Sequence, residues 1–144
     1  MLHKLKDIAT ALTKVSSEDF YVDIIKSLDF ELEEYQRLQM SRGQNNEGNP
    51  IGELRSAAYA RRKKASGGIA PLGQVDLRDT GDFQDSIFTK ISNNFIKWGA
   101  TDSKTSDLVQ KYGDIFGLSD FTLNEFQEEI LKPRLIKEIN GVFK

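Results

Sequence analysis

Residues 86–99, SIFTKISNNFIKWG, decide the fold class of this sequence. Three β-branched residues at alternate positions (87, 89 and 91) share one face of an extended chain, a pattern typical of a half-buried strand. Residues 95–99 resume the extended pattern. Between the two runs, Ser92-Asn93-Asn94 predicts a tight turn, because asparagine tolerates the left-handed backbone conformations that such turns require. The stretch therefore predicts an antiparallel β-hairpin.

Helical periodicity dominates the chain before this hairpin. Leu5, Ile8, Leu12 and Val15 are spaced by three or four residues, as on one face of a short amphipathic helix. Capping residues and first-turn acids follow at positions 16–19, so the sequence predicts a second, long helix from about Glu18 to Arg42. Its apolar stripe consists of Ile24, Leu28, Leu32, Tyr35 and Leu38. A long helix with a single apolar stripe has only a limited core to cover. We therefore expect this helix also to pack on a partner.

Loops and one helix are expected between the long helix and the hairpin. Residues 43–50, GQNNEGNP, have loop composition. Asn49-Pro50 predicts a helix start, with asparagine as the N-cap and proline at the first helical position. That helix would carry Ile51 and Leu54 and end in the basic run before Ser66. Residues 69–83 contain proline, glycines and aspartates, which favours an ordered or semi-ordered loop over a regular element.

Two helices are expected after the hairpin. Asp102 or Ser103 is a candidate cap for a short helix through Tyr112, with Gly113 as its stop. Residues 122–125, TLNE, match a capping box for the final helix, and Pro133 should kink or split that helix near its preceding residue.

These elements predict an α+β fold in one domain spanning residues 1–144. It comprises N-terminal helices, a small antiparallel sheet with a hairpin, and a C-terminal helix packed on the sheet. Residues 1–42 form the N-terminal helical segment, and residues 50–144 form the α+β core.

Composition excludes several function classes. The 144 residues include no cysteine and one histidine, which excludes thiolate metal sites, disulfides and a Ser-His-Asp triad. The net charge of −2 gives the chain no overall electrostatic attraction to nucleic acid. No apolar run approaches a membrane span, and the N-terminus lacks the core of a signal peptide. We therefore expect a soluble protein of intracellular assembly that binds rather than catalyses, without cofactor or membrane contact.

Two charged clusters remain as candidate sites. Asp76, Asp79, Asp82 and Asp85 recur every third residue, but the spacing fails the EF-hand template, and aspartates that cap turns are the simpler interpretation. An acid–base pair for glycoside hydrolysis is a further alternative. The basic run of residues 61–64 could contact nucleic acid or an acidic partner, although cations also suit the end of a helix.

Residues 60–86 read ARRKKASGGIAPLGQVDLRDTGDFQDS. The segment resembles the signature of small phage neck and tail-completion proteins, the head-to-tail joining family. In that family a basic or small-residue helix end precedes a segment of the type A-P-V-D-T-G-x-L-x-x-S-I, which leads into a strand. Here Ala70-Pro71, Val75-Asp76 and Thr80-Gly81 stand for the three pairs, and Ser86-Ile87 begins the strand. Residues 72–74 and 77–79 are inserted between pairs that are contiguous in the family.

Two later segments extend the resemblance over about residues 50–144. Tyr112-Gly113 and residues 115–118 are similar to the family's Y-G…G, and Leu131-Lys132-Pro133 is similar to the F-L-x-P that starts its last helix. The N-terminal 42 residues lie outside this similarity.

The resemblance implies a structural virion protein that joins portal to tail. Copies would bind one another head to tail in a closed ring, contacting portal or adaptor and tail proteins, with genomic DNA in the lumen. Residues predicted to face DNA or an acidic portal surface are Arg61, Arg62, Lys63 and Lys64. Residues predicted to shape a loop that meets a neighbouring subunit are Asp76, Asp79, Thr80, Gly81 and Asp82.

Three alternatives stay open at this point. The chain could be a non-enzymatic interaction module that binds a partner through the 18–42 helix, with Tyr35 and Leu38 in the contact. It could be a small enzyme that uses the aspartate cluster. It could also bind nucleic acid through residues 61–64, with a steep salt dependence.

Overall fold

The computed structural model describes residues 2–92 and 95–143. In chain order the elements are α1 (Leu2–Ser16), α2 (Glu18–Lys26), α3 (Asp29–Ser41), α4 (Ala57–Ala65), α5 (Asp82–Asp85), β1 (Ile87–Ile91), β2 (Ile96–Ala100), α6 (Thr105–Tyr112), α7 (Asp120–Phe126) and α8 (Lys132–Val142). A π-helical turn, Gln127–Leu131, joins α7 to α8. The α+β class is confirmed. Within the described ranges, no helix is both long enough and apolar enough to cross a bilayer.

The prediction of one helix over residues 18–42 is wrong, because a turn at Ser27-Leu28 separates α2 from α3. The Ser27 hydroxyl donates to the Ile24 carbonyl (2.6 Å), and the Leu28 N–H donates to the Ile25 carbonyl (2.9 Å). Both bonds span three residues, so they tighten and end the last turn of α2. The apolar stripe nevertheless crosses the break, since Leu28 is buried.

The predicted hairpin is confirmed. β1 and β2 pair antiparallel, from Ile87 opposite Ala100 to Ile91 opposite Ile96. The turn expected at Asn93-Asn94 falls outside the described residues. A two-stranded sheet is marginal by itself, so its stability depends on the helices packed against it.

Helix α3 covers the free edge of β1. The Glu33 carboxylate accepts from the Thr89 N–H (2.9 Å). The Arg37 guanidinium donates to the carbonyls of Gln84 (2.8 Å) and Ile87 (3.2 Å). These side chains satisfy backbone groups that β2 does not reach, which protects an edge that could otherwise pair with another chain.

Two apolar cores pack against the same face of the hairpin, one toward each of its ends. The first core contains Met40, Ile51, Val75, Leu77, Phe83, Ile87 and Ile115. The second core contains Phe20, Ile24, Leu28, Leu32 and Phe126. Trp98 packs against both, and α8 packs on the second core together with the hairpin residues Ile91 and Ile96. The expected packing of the C-terminal helix on the sheet is thus present.

Buried amides on α3 fix the segment that links α6 to α7. Gln39 donates to the carbonyls of Asn45 (3.0 Å) and Gly117 (2.8 Å) and accepts from the Ser119 N–H (2.8 Å). Gln36 accepts from the Gly117 N–H (2.7 Å). Both side chains are fully buried, so these bonds satisfy polar groups that have no access to water.

The helix start predicted at Asn49-Pro50 is wrong. Helix α4 begins at Ala57, where the Ser56 hydroxyl accepts an N–H of the first turn. Residues 51–55 instead make backbone hydrogen bonds to residues 73–75, with the Leu54 N–H donating to the Gly73 carbonyl (2.7 Å). Pairing with a distant segment therefore overrides the local proline signal.

The capping box predicted for the final helix is also wrong. The N-cap of α7 is Ser119, whose hydroxyl accepts from the Thr122 N–H (3.3 Å), so the helix starts before the 122–125 box. At the start of α6 the cap position is Lys104, which makes no side-chain cap bond. The predicted Asp102 carboxylate nevertheless accepts from the Lys104 N–H (2.8 Å), immediately before the helix. Gly113, with φ +72°, ends α6 as predicted.

The irregularity predicted at Pro133 is confirmed. The Lys132 N–H donates to the Gln127 carbonyl, five residues back instead of four. Proline has no N–H for the carbonyl of residue 129 and its ring crowds that carbonyl. The wider π-helical turn accommodates the proline without ending the helix.

Candidate functional site

A cleft of about 560 Å³ opens between α4, α6 and the loop of residues 77–81. Its floor is apolar and continuous with the first core. The floor residues are Leu54, Val75, Leu77, Phe83, Leu108 and Tyr112. A volume of this size is typical of a ligand pocket or of a groove that accepts a protruding side chain.

Cations surround the mouth of this cleft. Arg55, Arg78, Lys104 and Lys111 all line it and are exposed, and the acids among the lining residues are Glu53 and Asp79. In the part of the chain that the structure describes, none of these four cations forms an ion pair. The mouth therefore carries an uncompensated positive charge above an apolar floor, which suits an anionic group attached to an apolar one.

Asp76 organises the wall of the cleft. It is 6% exposed and forms an ion pair with Lys63 of α4. Its carboxylate also accepts from the Arg78 N–H (3.0 Å), and its carbonyl accepts from the Gln84 side chain (2.8 Å). These bonds tie α4, the loop and α5 to one buried residue, so Asp76 has a structural role in this wall.

The residue after Asp76 is held in an unusual backbone conformation. Leu77 has φ +56°, in the left-handed region that non-glycine residues rarely occupy. Its side chain is buried in the first core and lines the cleft. Such a conformation costs about 1–3 kcal/mol and persists only where neighbouring contacts hold it. The neighbouring contacts here are the hydrogen bonds of Asp76 to the Arg78 N–H and the Gln84 side chain.

The Thr80–Asp82 turn leads the chain from the cleft into the sheet. Gly81 has φ +94° and is the N-cap of α5, while the Thr80 hydroxyl accepts from the Asp82 N–H (3.3 Å). Asp79, Thr80 and Gly81 line the cleft, whereas Asp82 is exposed outside it. The turn thus fixes the angle at which Ile87 enters β1.

The structure divides the basic run of residues 61–64. The Lys63 ammonium pairs with Asp76, and the Lys64 ammonium donates to the Ala70 carbonyl (3.1 Å). Arg61 and Arg62 are exposed, and the Arg62 guanidinium lies 5.8 Å from the centre of the Tyr59 ring. Within this run, Arg61 and Arg62 are therefore the exposed cations that form no bond to the loop of residues 70–76.

The aspartates at every third position do not converge. Asp76 is buried against Lys63, whereas Asp79, Asp82 and Asp85 are exposed. Among residues 2–92 and 95–143, no three acidic or histidine side chains are arranged to hold a metal ion. Turn capping by the carboxylate is seen at Asp76, which accepts from the Arg78 N–H two residues on; at Asp82 the turn bond is accepted by the Thr80 hydroxyl.

Tyr35 makes its contacts within the chain. Its hydroxyl donates to the Glu129 carboxylate (2.6 Å), and its ring meets the Phe126 ring edge to face at 5.6 Å. Burial first, and then the hydrogen bond and the negative charge of Glu129, raise the pKa of Tyr35 to about 12. Leu38, the other residue predicted to contact a partner, is half-buried.

The four cations at the cleft mouth were not among the residues predicted from the sequence. They come from three separate segments, so no contiguous basic run marks them. A signal did exist in α6, where Lys104, Leu108, Lys111 and Tyr112 recur at helical spacing and share one face.

Comparisons with protein families, with curated proteins and with solved structures find no significant match to this chain. The function is therefore inferred from the residues of the cleft and of the surface.

Proposed function

We propose that this protein is a structural component of a phage head–tail connector, a ring subunit that joins portal to tail. The resemblance of residues 60–86 to the neck and tail-completion signature supports the proposal. The local structure of this segment is consistent with it, because a basic helix end, a loop and a Thr-Gly turn precede a strand in that order. The protein acts by binding and not by catalysis.

The observation that carries the proposal is the presence of two separate exposed apolar surfaces. On α1, Leu5, Ile8 and Leu12 lie at helical spacing and are 58%, 43% and 56% exposed. On the loop after α4, Ile69 and Leu72 are 55% and 61% exposed. Apolar groups concentrated in this way mark contact surfaces.

A ring subunit needs two different contact surfaces, one for each neighbour. Helix α1 packs on α2 and α8, beside the second core, whereas the loop of residues 69–72 adjoins the first core. The two surfaces thus lie beside different cores, which favours a head-to-tail ring over an interaction module with one surface. The module's expected contact, Tyr35, is moreover bonded to the C-terminal helices.

Exposed charge suits the remaining partners of a connector. Arg61 and Arg62, at the exposed end of α4, are the residues that we assign to contact with genomic DNA or an acidic portal surface. Two arginines per subunit, repeated around a ring, form a ring of positive charge without making the single chain basic.

Quantitative mass spectrometry of purified particles tests the proposal. In virions of the phage that encodes this chain, we expect the protein in a fixed whole-number ratio to the portal subunit. A nonsense mutant that lacks the chain should accumulate filled heads and separate tails. Absence of the protein from tailed particles, or normal particles from the nonsense mutant, would overturn the proposal.

A further inference from the structure

An acidic aromatic protrusion stands at the start of α3. Phe30 is 62% exposed, although an aromatic side chain of this size is normally buried. It lies in the run DFELEE, residues 29–34. Glu33 accepts from Thr89 and Glu34 pairs with Arg37, so within the described residues Asp29 and Glu31 are the carboxylates of this run that form neither an ion pair nor a bond to another element. Asp29 and Glu31 flank the ring directly, and the Asp29 carboxylate accepts from the Phe30 N–H (2.7 Å). An apolar group thus projects from a negatively charged surface.

The cleft has the complementary character. Its floor is apolar, and the four exposed cations Arg55, Arg78, Lys104 and Lys111 surround its mouth against two lining acids. A phenyl ring with a carboxylate on each side would bury its ring on the floor and pair its carboxylates with the mouth. Aromatic side chains seated in a pocket and ringed by charge pairs are typical of the strongest contacts at protein interfaces.

Phe30 and the cleft lie toward different ends of one molecule. Leu28 and Leu32, on either side of Phe30, belong to the second core, whereas the cleft floor belongs to the first. Met40, which is part of the first core, follows Phe30 by ten residues of α3, or about 15 Å along a helix axis. The geometry therefore disfavours insertion of Phe30 into the cleft of its own chain.

We propose that the cleft binds Phe30 and its flanking acids from a second copy of this chain. The contact is heterologous, since one copy contributes the protrusion and the next contributes the cleft, and repetition of such a contact closes a ring or extends a filament. This inference rests on the proposed function and adds to its two apolar surfaces, since Phe30 and α1 both lie beside the second core, whereas the cleft and the loop of residues 69–72 both adjoin the first. Charge complementarity is the reason for choosing a second copy as the occupant.

The absence of cysteine from the sequence allows a direct test by disulfide trapping. The variant Glu31→Cys/Thr80→Cys places one thiol beside Phe30 and one in the cleft wall of every chain. Under oxidation of the purified full-length protein, and of particles assembled with it, we expect a ladder of linked copies. Each single-cysteine variant should give no product larger than a dimer.

A matched control uses the other strongly exposed phenylalanine that has an acidic neighbour. Phe121 is 68% exposed and follows Asp120 at the start of α7. The control variant Asp120→Cys/Thr80→Cys should give no ladder. Adding Phe30→Ala to the trapping variant should slow cross-linking at least tenfold, whereas adding Phe121→Ala should leave the rate unchanged; tenfold corresponds to about 1.4 kcal/mol.

The outcomes separate this inference from the proposed function. A ladder that depends on Phe30 supports the contact, and it does so even if the protein is missing from virions, in which case the connector proposal alone fails. Any one of three results would overturn the inference. They are the absence of a ladder both in solution and in particles, an equal ladder from the Asp120 control, and a ladder that Phe30→Ala does not slow. If the chain is present in virions and any of these occurs, the connector proposal stands and its subunits meet through other surfaces.

Discussion

Replacement of Asp76 by asparagine tests whether the ion pair with Lys63 holds the cleft wall. The Asp76 residue is 6% exposed and the Lys63 side chain is 19% exposed, so both charges are largely removed from water. The substitution leaves the Lys63 ammonium without its anion and weakens the bond from the Arg78 N–H. Breaking a fully buried pair costs about 3–5 kcal/mol, and because Lys63 keeps some hydration we expect about 2 kcal/mol here.

The assay is urea unfolding of a double-mutant cycle with Asp76→Asn and Lys63→Met. The fluorescence of Trp98 is the signal, because this residue packs against both cores and reports on the whole fold. We expect the double variant to lose less unfolding free energy than the sum of the losses of the two single variants. The difference, which is the coupling energy of the pair, should be about 1–2 kcal/mol. Circular dichroism would verify that each variant is folded before unfolding.

A second pair in the same chain provides the control. Lys132 and Glu128 form an ion pair one helical turn apart, with side chains 61% and 52% exposed. The corresponding cycle should give a coupling below about 0.5 kcal/mol, since solvent screens exposed pairs. Equal couplings for the two cycles would refute the reasoning that burial makes the Asp76 pair structural.

Three further substitutions test the packing, the buried polar bonds and the titration described above. Gly99→Ala would place a Cβ atom 2.7 Å from the Phe88 ring, and we expect a loss of about 1–2 kcal/mol in unfolding free energy. Gln39→Leu leaves the Gly117 carbonyl and the Ser119 N–H without their partner and should cost about 2–4 kcal/mol, again by urea unfolding. The Asn45 carbonyl keeps its bond from the Gly48 N–H (3.0 Å). For Tyr35 the native pKa of about 12 exceeds the ordinary value of 10.0, so the native state keeps a proton that the unfolded state loses. Its stability contribution is therefore complete below pH 10 and is lost as pH rises toward 12, and Tyr35→Phe should remove that part of the pH dependence of the urea midpoint.

Local sequence patterns were sufficient where the structure is local. The β1–β2 hairpin follows from alternation and turn composition within fourteen residues, and the disturbance near Pro133 follows from the chemistry of one residue. The break between α2 and α3 was missed because the apolar stripe passes through it without interruption. Its signal lies in side-chain capping, since Ser27 bonds back into α2 and Asp29 begins α3.

Long-range contacts account for the features that the sequence did not predict. The helix expected at Pro50 gives way to an extended segment because its backbone groups pair with residues 73–75. The burial of Gln36 and Gln39 does not follow from the apolar stripe of the sequence, because both are polar residues on the inward face of the helix. Asp79, Thr80 and Gly81 were singled out from the sequence and do line the cleft, but their role in contacting a neighbour stays a prediction.

The balanced charge of this chain takes on a different meaning once its distribution is known. A net charge of −2 gives little attraction to a highly charged partner. Positive charge nevertheless gathers at the cleft mouth, and the carboxylates of Asp29 and Glu31, which form no ion pair within the described residues, flank Phe30. In the contact that we propose between Phe30 and the cleft, the two surfaces carry charges of opposite sign, which largely cancel in the sum over one chain. A net charge near zero is therefore consistent with the proposed contact, and added salt should weaken that contact by screening the charges on both surfaces.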